Sequence, residues 1–316
     1  MKKIIVLYLT LLLFTPTPLV ANLKVYEIYI DGNLTNSFEN YDDAHFYAKN
    51  YENSHIFDIN QSKWIWHNKN NFRVEIGNNK KNFFLFKDAV EYAKNEACTV
   101  IFNPTNSVIW ENNSPDSSSI NVPVVLQMPK YQRGCSVATL AMVLNHAGIK
   151  SDLAQLVKDL RINPAKEEIK NGITYFGNPY NGFVGDIFSF KNPGLGVYYP
   201  PILELMESFL GDSVINFVDA QFDDLLYYIS TGHPLWVMTN AKHKLLEDKD
   251  FITWYTEDGP IEITKWMHAV VVSGYDAEYI YFSDPLGRHS KAIRKEFIEA
   301  WEQMGHQAVG YTSNET

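Results

Sequence analysis

Cysteine is almost missing from this sequence: two occur in 316 residues, Cys98 and Cys135. That excludes a disulfide framework and leaves room for one bridge at most. Clusters of Lys and Arg are missing as well, and the formal net charge is −10. A chain this acidic is a poor partner for nucleic acid or an anionic membrane surface. No His, Cys or carboxylate pair shows a spacing such as HExxH or CxxC, so neither a metal nor a cofactor is expected. Long apolar runs are absent beyond one at the N-terminus.

That run has the layout of a secretory signal. Lys2 and Lys3 precede an apolar core from Ile4 to Phe14, then Pro16, Pro18 and the small residue Ala21. The core is shorter than the roughly 20 residues a bilayer span needs, which favours cleavage near Ala21 and a secreted or cell-surface protein over an uncleaved anchor. No cysteine follows it, so no lipid attachment is expected.

Residues 22–112 hold two similar segments at a period of roughly 45 residues. The first contains "VYEIYIDG", "FENYDDAHFYAKN" and "HIFDINQSKWIWHN"; the second contains "FRVEIGNN", "FFLFKDAVEYAKN" and "CTVIFNPTNSVIWEN". Alternation at Tyr26, Ile28 and Ile30, matched by Phe72, Val74 and Ile76, predicts an opening strand. Ala44, Tyr47 and Ala48, matched by Ala89, Tyr92 and Ala93, predict a helix, and a hairpin ends each unit on Trp66 or Trp110. These tryptophans are either a cell-wall-binding face or the core of a small unit, and the second is the simpler account. Cys98 falls beside Val100 and Phe102 in a closing strand, as a buried structural thiol. The composition of "NNSPDSSSIN" makes 113–121 a linker. Residues 122–316 then form the main domain.

In "VLQMPKYQRGCSVATLAMVLNHAG" a broken loop gives way to a helix whose apolar face is Val137, Leu140, Ala141 and Leu144 and whose stop is Gly148. Cys135 thus opens a helix. Unsatisfied N–H groups and the positive end of the macrodipole stabilise an anion there, and beside an imidazolium a thiol can fall from about 8.5 to about 3 or 4 in pKa. A cysteine in that place can also be a small apolar residue of the core. A histidine on a rigid strand favours the first. "WMHAVVVSGYDAEYIYFSDPLG" supplies His268 at the start of one strand and Asp284 at the end of the next, with a tight turn between. Paired antiparallel, these strands bring a carboxylate to the imidazole, where it can hold the tautomer. Of the other histidines, His146 lies about three turns from Cys135, and His243, His289 and His306 sit in polar segments.

At these residues the sequence resembles the bacterial C39-like cysteine peptidases, a papain-like family. The resemblance runs from Val122 to the C-terminus on "VPVVLQMPKYQRGCSVATLAMVLNHAGI", "GNPYNGFVGD", "GVYYPPI", "GHPLWVMT", "HAVVVSGYD" and "YFSDPLG". It implies an α+β fold, with helices on a mostly antiparallel sheet, preceded by a small α+β repeat domain. It also implies Cys135 as nucleophile, His268 as base, Asp284 as its orienting carboxylate and Gln127 as oxyanion donor. Gln127 is far enough from Cys135 along the chain for the loop to fold back, whereas Gln132 is too close. The family often has an acidic approach to the cysteine and a glutamate after it; this chain has "KYQRG" and Ser136, which bears on substrate preference. No ATP-binding cassette follows.

The segment from Asn171 to Ile202 is rich in Gly, Pro and aromatics and reads as a wall of the substrate cleft, with Tyr175, Phe183 and Tyr198 as pocket residues. Pro201–Leu210 and "FDDLLYYIS" read as helices, "HPLWVMTN" as a buried strand beside that of His268, and "KAIRKEFIEAWEQMG" as an amphipathic helix. The expected activity is hydrolysis of peptide bonds in a peptide or protein substrate. The alternatives are cleavage of peptidoglycan stem peptides or amide bonds by the same residues, with the N-terminal repeats touching the cell wall, or a non-catalytic peptide-binding module.

Overall fold

The strand that begins beside His268 is buried along its whole length, and the rest of the fold follows from covering it. A computed structural model describes residues 25–30, 33–51, 54–59, 63–68 and 71–312. The expected secretory signal lies outside them. Among the described residues no helix is long and apolar enough to cross a membrane.

The chain divides into two units, 1–69 and 70–316. In the first, β1 (Tyr26–Ile30), β2 (Asn33–Phe38), α1 (Tyr41–Ala48), β3 (Ser54–Asp58) and β4 (Lys63–Asn68) form a sheet of order β2-β1-β3-β4. Its core is Ile28, Ala44, Ala48 and Ile56. The Asn40 side chain accepts the Asp43 N–H and so starts α1.

The second unit opens with β5 (Phe72–Ile76), β6 (Asn79–Phe83), α2 (Phe86–Glu96), β7 (Val100–Phe102) and β8 (Ser107–Trp110), with strand order β6-β5-β7-β8. Each segment thus opens on a hairpin where the alternation pattern suggests one strand. Next come β9 (Ser118–Ser119), α3 (Cys135–His146), α4 (Leu153–Asp159), β10 (Ile162–Asn163), β11 (Glu168–Lys170), β12 (Ile173–Tyr175), β13 (Phe183–Val184), α5 (Tyr199–Leu210), β14 (Val214–Asn216), α6 (Leu226–Ser230) and β15 (Leu235–Asn240). The chain closes with β16 (Phe251–Thr256), β17 (Gly259–Thr264), β18 (Met267–Tyr275), β19 (Tyr279–Ser283), β20 (Lys291–Ile293), α7 (Arg294–Gln303) and β21 (Ala308–Tyr311).

The central sheet runs β14-β21-β15-β18-β19-β20, with β9 on β18, and its pairs are antiparallel. A second sheet, β11-β12-β16-β17, flanks the domain, and β10 pairs with β13. On one face of β18, Met267, Ala269 and Val271 join a core that includes α3 residues and Trp236 of β15. On the other, Val270 and Val272 join Phe217, Phe282, Phe297 and Trp301. Residues Cys135 to Leu144 of α3 are all buried, not one stripe alone, because the sheet, α4 and α5 surround the helix. Gly148, at φ 83°, ends it.

Two boundaries differ from those expected. Phe72, Phe86, Val90 and Trp110 belong to the same core as Val270 and Val272, with the Phe86 ring 4.8 Å from that of Phe217. The second segment therefore covers the far face of the main sheet, and the compact units separate near residue 70 and not at 113–121. That stretch is ordered: Tyr275 Oη donates to Pro115 O at 3.0 Å, and β9 runs against Gly274, where an added Cβ would lie 2.4 Å from Ser118 O. Its Ser/Asp/Pro composition reflects an edge strand and its turns. Cys98 is half-buried just before β7, and it and Cys135 are both free thiols.

Removing residues 1–121 would uncover Phe217 and its neighbours, at about 1.5–3 kcal/mol for each large apolar side chain. We expect a chain starting at Asn70 to melt cooperatively like the full protein, and one starting at Val122 to aggregate or to melt far lower; equal melting of the two would contradict the shared core.

Candidate functional site

The loop 121–134 is pinned at both ends of the site. Gln127 N donates to Pro285 O at 3.0 Å, Tyr131 N to Gln127 O at 2.9 Å and Arg133 N to Ile187 O at 3.0 Å. Gly134 lies against Tyr131, whose Cβ would be 2.6 Å from any Cβ added at 134, so only glycine permits this entry to the helix. Gly134 is the N-cap of α3 and no side chain caps it, so the helix terminus is left to act on Cys135.

Strand β18 delivers His268 to that terminus. Thr139 Oγ1 donates to Ala269 O at 3.0 Å, and Trp236 Nε1 donates to Ser136 O at 2.9 Å, so the first turns of α3 are locked to β18 and β15 just past the thiol. His268 Nε2 and Asp284 Oδ1 are 2.7 Å apart. The second ring nitrogen is left for Cys135, whose thiol is electrostatically coupled to the ring. Asp284 follows β19 in an Asp-Pro-Leu-Gly turn and also accepts from Leu286 N at 2.8 Å. Its other oxygen accepts more weakly from Arg288 N at 3.3 Å and His289 N at 3.4 Å. His268 and Asp284 are only 3 % and 2 % exposed.

The ionisation of the three groups is coupled. Burial acts to raise the Cys135 pKa, but the hydrogen bond and charge of His268, the Ala269 N–H and the Ser136 hydroxyl outweigh it, and the thiol is lowered overall. Burial opposes charge on His268 too; Asp284 and Cys135 more than compensate and push it up to about 9. Asp284, whose burial is outweighed by the His268 bond and charge and by the turn amides, is held down at about 2. The arrangement can therefore hold a thiolate, an imidazolium and a carboxylate in one buried row.

Gln127 is buried beside this row. Its Nε2 donates to Gln132 O at 2.9 Å and to Tyr131 O at 3.3 Å, while its Oε1 has no partner. The other expected site residues divide. Tyr175 is partly exposed on β12, with its ring 5.6 Å from that of Tyr255. Phe183 and Tyr198 are 1 % and 5 % exposed and belong to the core around α3, so they do not line an open pocket. The 171–202 segment, expected as cleft wall, supplies these core residues because its short β12 and β13 tuck Phe176, Phe183 and Val184 inward.

Another part of the same segment is held at the surface. Arg133 donates to the carbonyls of Asp186, Ser189, Phe190 and Asn192, and Gln132 Oε1 accepts from Phe190 N at 2.8 Å. The two residues just before Gly134 thereby hold a loop that presents exposed Phe188 and Phe190. The "QR" that parts this chain from the family's usual approach is thus a clamp, a role visible only once 186–192 is placed. Exposed Leu126 and Met128 flank Gln127 on the other loop. A cavity of about 320 Å³ opens elsewhere, between Thr105, Leu210 and Tyr311, and includes no member of the row.

Among the described residues no cluster of His, Cys, Asp and Glu could hold a metal ion. Residues 119–309 match the sequence profile described as the Peptidase_C39 like family. Over 188 residues the chain is 38 % identical to the uncharacterized protein YvpB of Bacillus subtilis strain 168, covering 58 % of this chain and 71 % of that one. It is also similar to the crystal structure of a candidate C39-like peptidase from Bacillus anthracis, at a TM-score of 0.58 and 35 % identity, covering 63 % of this chain and 98 % of that one. With the fold, the matched span and these two relatives in agreement, the chain belongs to the Peptidase_C39 like family.

Proposed function

We propose that this protein is an exported cysteine peptidase that hydrolyses peptide bonds with Cys135, His268 and Asp284. The observation that carries the reading is the buried His268–Asp284 hydrogen bond beside Cys135, whose thiol is lowered by His268, at the open N-terminus of α3. The Cys135 thiolate attacks the carbonyl carbon, and the resulting oxyanion takes donors from the Cys135 N–H and Gln127 Nε2. To do so Gln127 gives up the longer of its two bonds, that to Tyr131 O. The His268 imidazolium passes its proton to the leaving amine, leaving a thioester on Cys135. Water then attacks the thioester with His268 accepting its proton; the thiolate leaves, the product acid departs, and the ion pair is restored. Asp284 holds the ring and stabilises its cation throughout.

Each residue has a separate signature. Asp284→Asn should lower turnover by up to about 10⁴-fold while the protein stays folded, because the imidazole loses its tautomer and its counter-charge. Gln127→Ala should lower turnover by roughly 10²- to 10³-fold and leave the rate of Cys135 alkylation by iodoacetamide nearly unchanged. Turnover at the parent rate in Gln127→Ala would move the oxyanion donor elsewhere. The parent profile should hold a plateau whose alkaline edge lies near 9, where His268 loses its proton. Peptide turnover that survives Cys135→Ala would sink the assignment.

A further inference from the structure

The loop from Asp186 to Asn192 is anchored on both flanks of the thiol. Arg133 N, just before Gly134 and Cys135, donates to Ile187 O at 3.0 Å, and Ser136 Oγ, just after them, donates to Val197 O at 3.1 Å. Asp186 N on Pro193 O at 3.0 Å closes the neck. The Asp186 carboxylate accepts from Phe188 N at 2.7 Å and from Asn192 Nδ2 at 2.6 Å. Arg133 and Gln132 hold the carbonyls of Asp186, Ser189 and Asn192 and the Phe190 N–H. With its polar groups tied in this way the loop keeps one shape. That shape presents apolar surface: Phe188 is 53 % exposed and Phe190 61 %. Exposed apolar residues scattered singly need no account, but two large rings held out on one braced loop beside a nucleophile do.

The rings lie on a definite side of the thiol. The Phe188 ring is 5.6 Å from that of Tyr131, which packs against Gly134, and the Arg133 guanidinium lies 5.1 Å from the centroid of Phe190. A substrate's leaving amine takes its proton from His268, so the leaving group lies towards His268 and Asp284. Leu126 marks that side, because its Cδ2 would be 3.0 Å from a Cβ added at Gly287 in the turn after Asp284. Gln127 bridges that turn and the helix entry: its N–H donates to Pro285 O and its side chain to the carbonyls of Tyr131 and Gln132. The loop hangs from the helix entry, across Gln127 from the turn, and that is the side of the acyl group.

We infer that Phe188 and Phe190 are specificity-determining residues, forming a subsite for a large apolar side chain, aromatic or branched, on the acyl side of the scissile bond. Gln132 and Arg133 are the positioning residues that hold it. The inference rests on the proposed hydrolytic role of Cys135 and names the class of substrate: peptides with a residue such as phenylalanine or leucine shortly before the cleaved bond. Such a side chain against the two rings takes apolar surface of both partners out of water, whereas a polar one would lose hydration there without gaining a partner. Peptidoglycan stem peptides, made of alanine, glutamate and a diamino acid, offer no side chain of this kind and would be poor substrates.

The test is the rate at which peptidyl chloromethyl ketones alkylate Cys135 in the full chain, divided by the rate with iodoacetamide. The ketone places its peptide on the acyl side, and the quotient removes any change in the reactivity of the thiol itself. The reagents are alanine tripeptides in which each position in turn is Phe, Leu or Asn. At one position Phe and Leu should react roughly tenfold or more faster than Asn. Phe188→Ser and Phe190→Ser should each lower that preference and together abolish it, while Phe188→Leu with Phe190→Leu should keep most of it. Equal rates for all reagents with the parent protein, or a preference that survives the paired serine substitutions, would overturn the inference. Unfolding of the serine variants would make the rings packing residues and overturn it equally. If Cys135 of the parent titrates with iodoacetamide as an ordinary thiol, it is the proposed function that fails; if it is acid-shifted and reacts with every peptide reagent alike, only the subsite fails.

Discussion

Burying a charged hydrogen-bonded pair is tolerable only when its partners are fixed on every side, and the His268–Asp284 bond imposes that condition on the whole second unit. Its length of 2.7 Å depends on the register of β18 against β19, which carries His268 to the start of one strand and Asp284 past the end of the next. The turn after Asp284 spends its amides on the same carboxylate. Removing either partner would leave the other charged and unpaired, so the site and the sheet are one construction problem.

Covering the strand explains the rest. β18 is apolar on both faces, and a sheet of that kind needs a layer on each. Helix α3 fills one side and in doing so brings its open terminus and Cys135 to His268. The far side is closed by α6, α7 and the sheet that includes Phe72, Phe102 and Trp110. A segment that resembles its N-terminal neighbour in sequence has thus become part of the core of the peptidase-like unit, while the first segment keeps a core of its own.

Much of this was legible where a residue's chemistry and its local pattern agree. A glycine before Cys135, a helical run after it, two short strands around a turn and a carboxylate at the end of the second are local signals, and they picked out the helix that Cys135 opens and the His268–Asp284 pair. Contacts across long separations were not legible. Nothing in "NPYNGFVGDIFSF" tells that Phe183 is packed inward while Phe188 and Phe190 point out, because that depends on Arg133 gripping carbonyls some 53 to 59 residues away. The boundary at 113–121 misled because edge-strand and linker compositions coincide. The hairpin β16–β17 carried no motif to single it out, and His243 was hidden in a polar stretch, its burial set by Phe282 and Phe297 from later elements.

The central claim is that Cys135 becomes acylated during turnover. The most direct measurement is rapid acid quenching of the protein during hydrolysis of an N-acylated peptide anilide, followed by mass analysis of its proteolytic fragments. The account predicts that the fragment containing Cys135 carries the added acyl mass, that Cys98 does not, and that the adduct decays as free acid is released. Anilide release with no acyl mass on Cys135 at any time, or with an adduct on another residue, would contradict it.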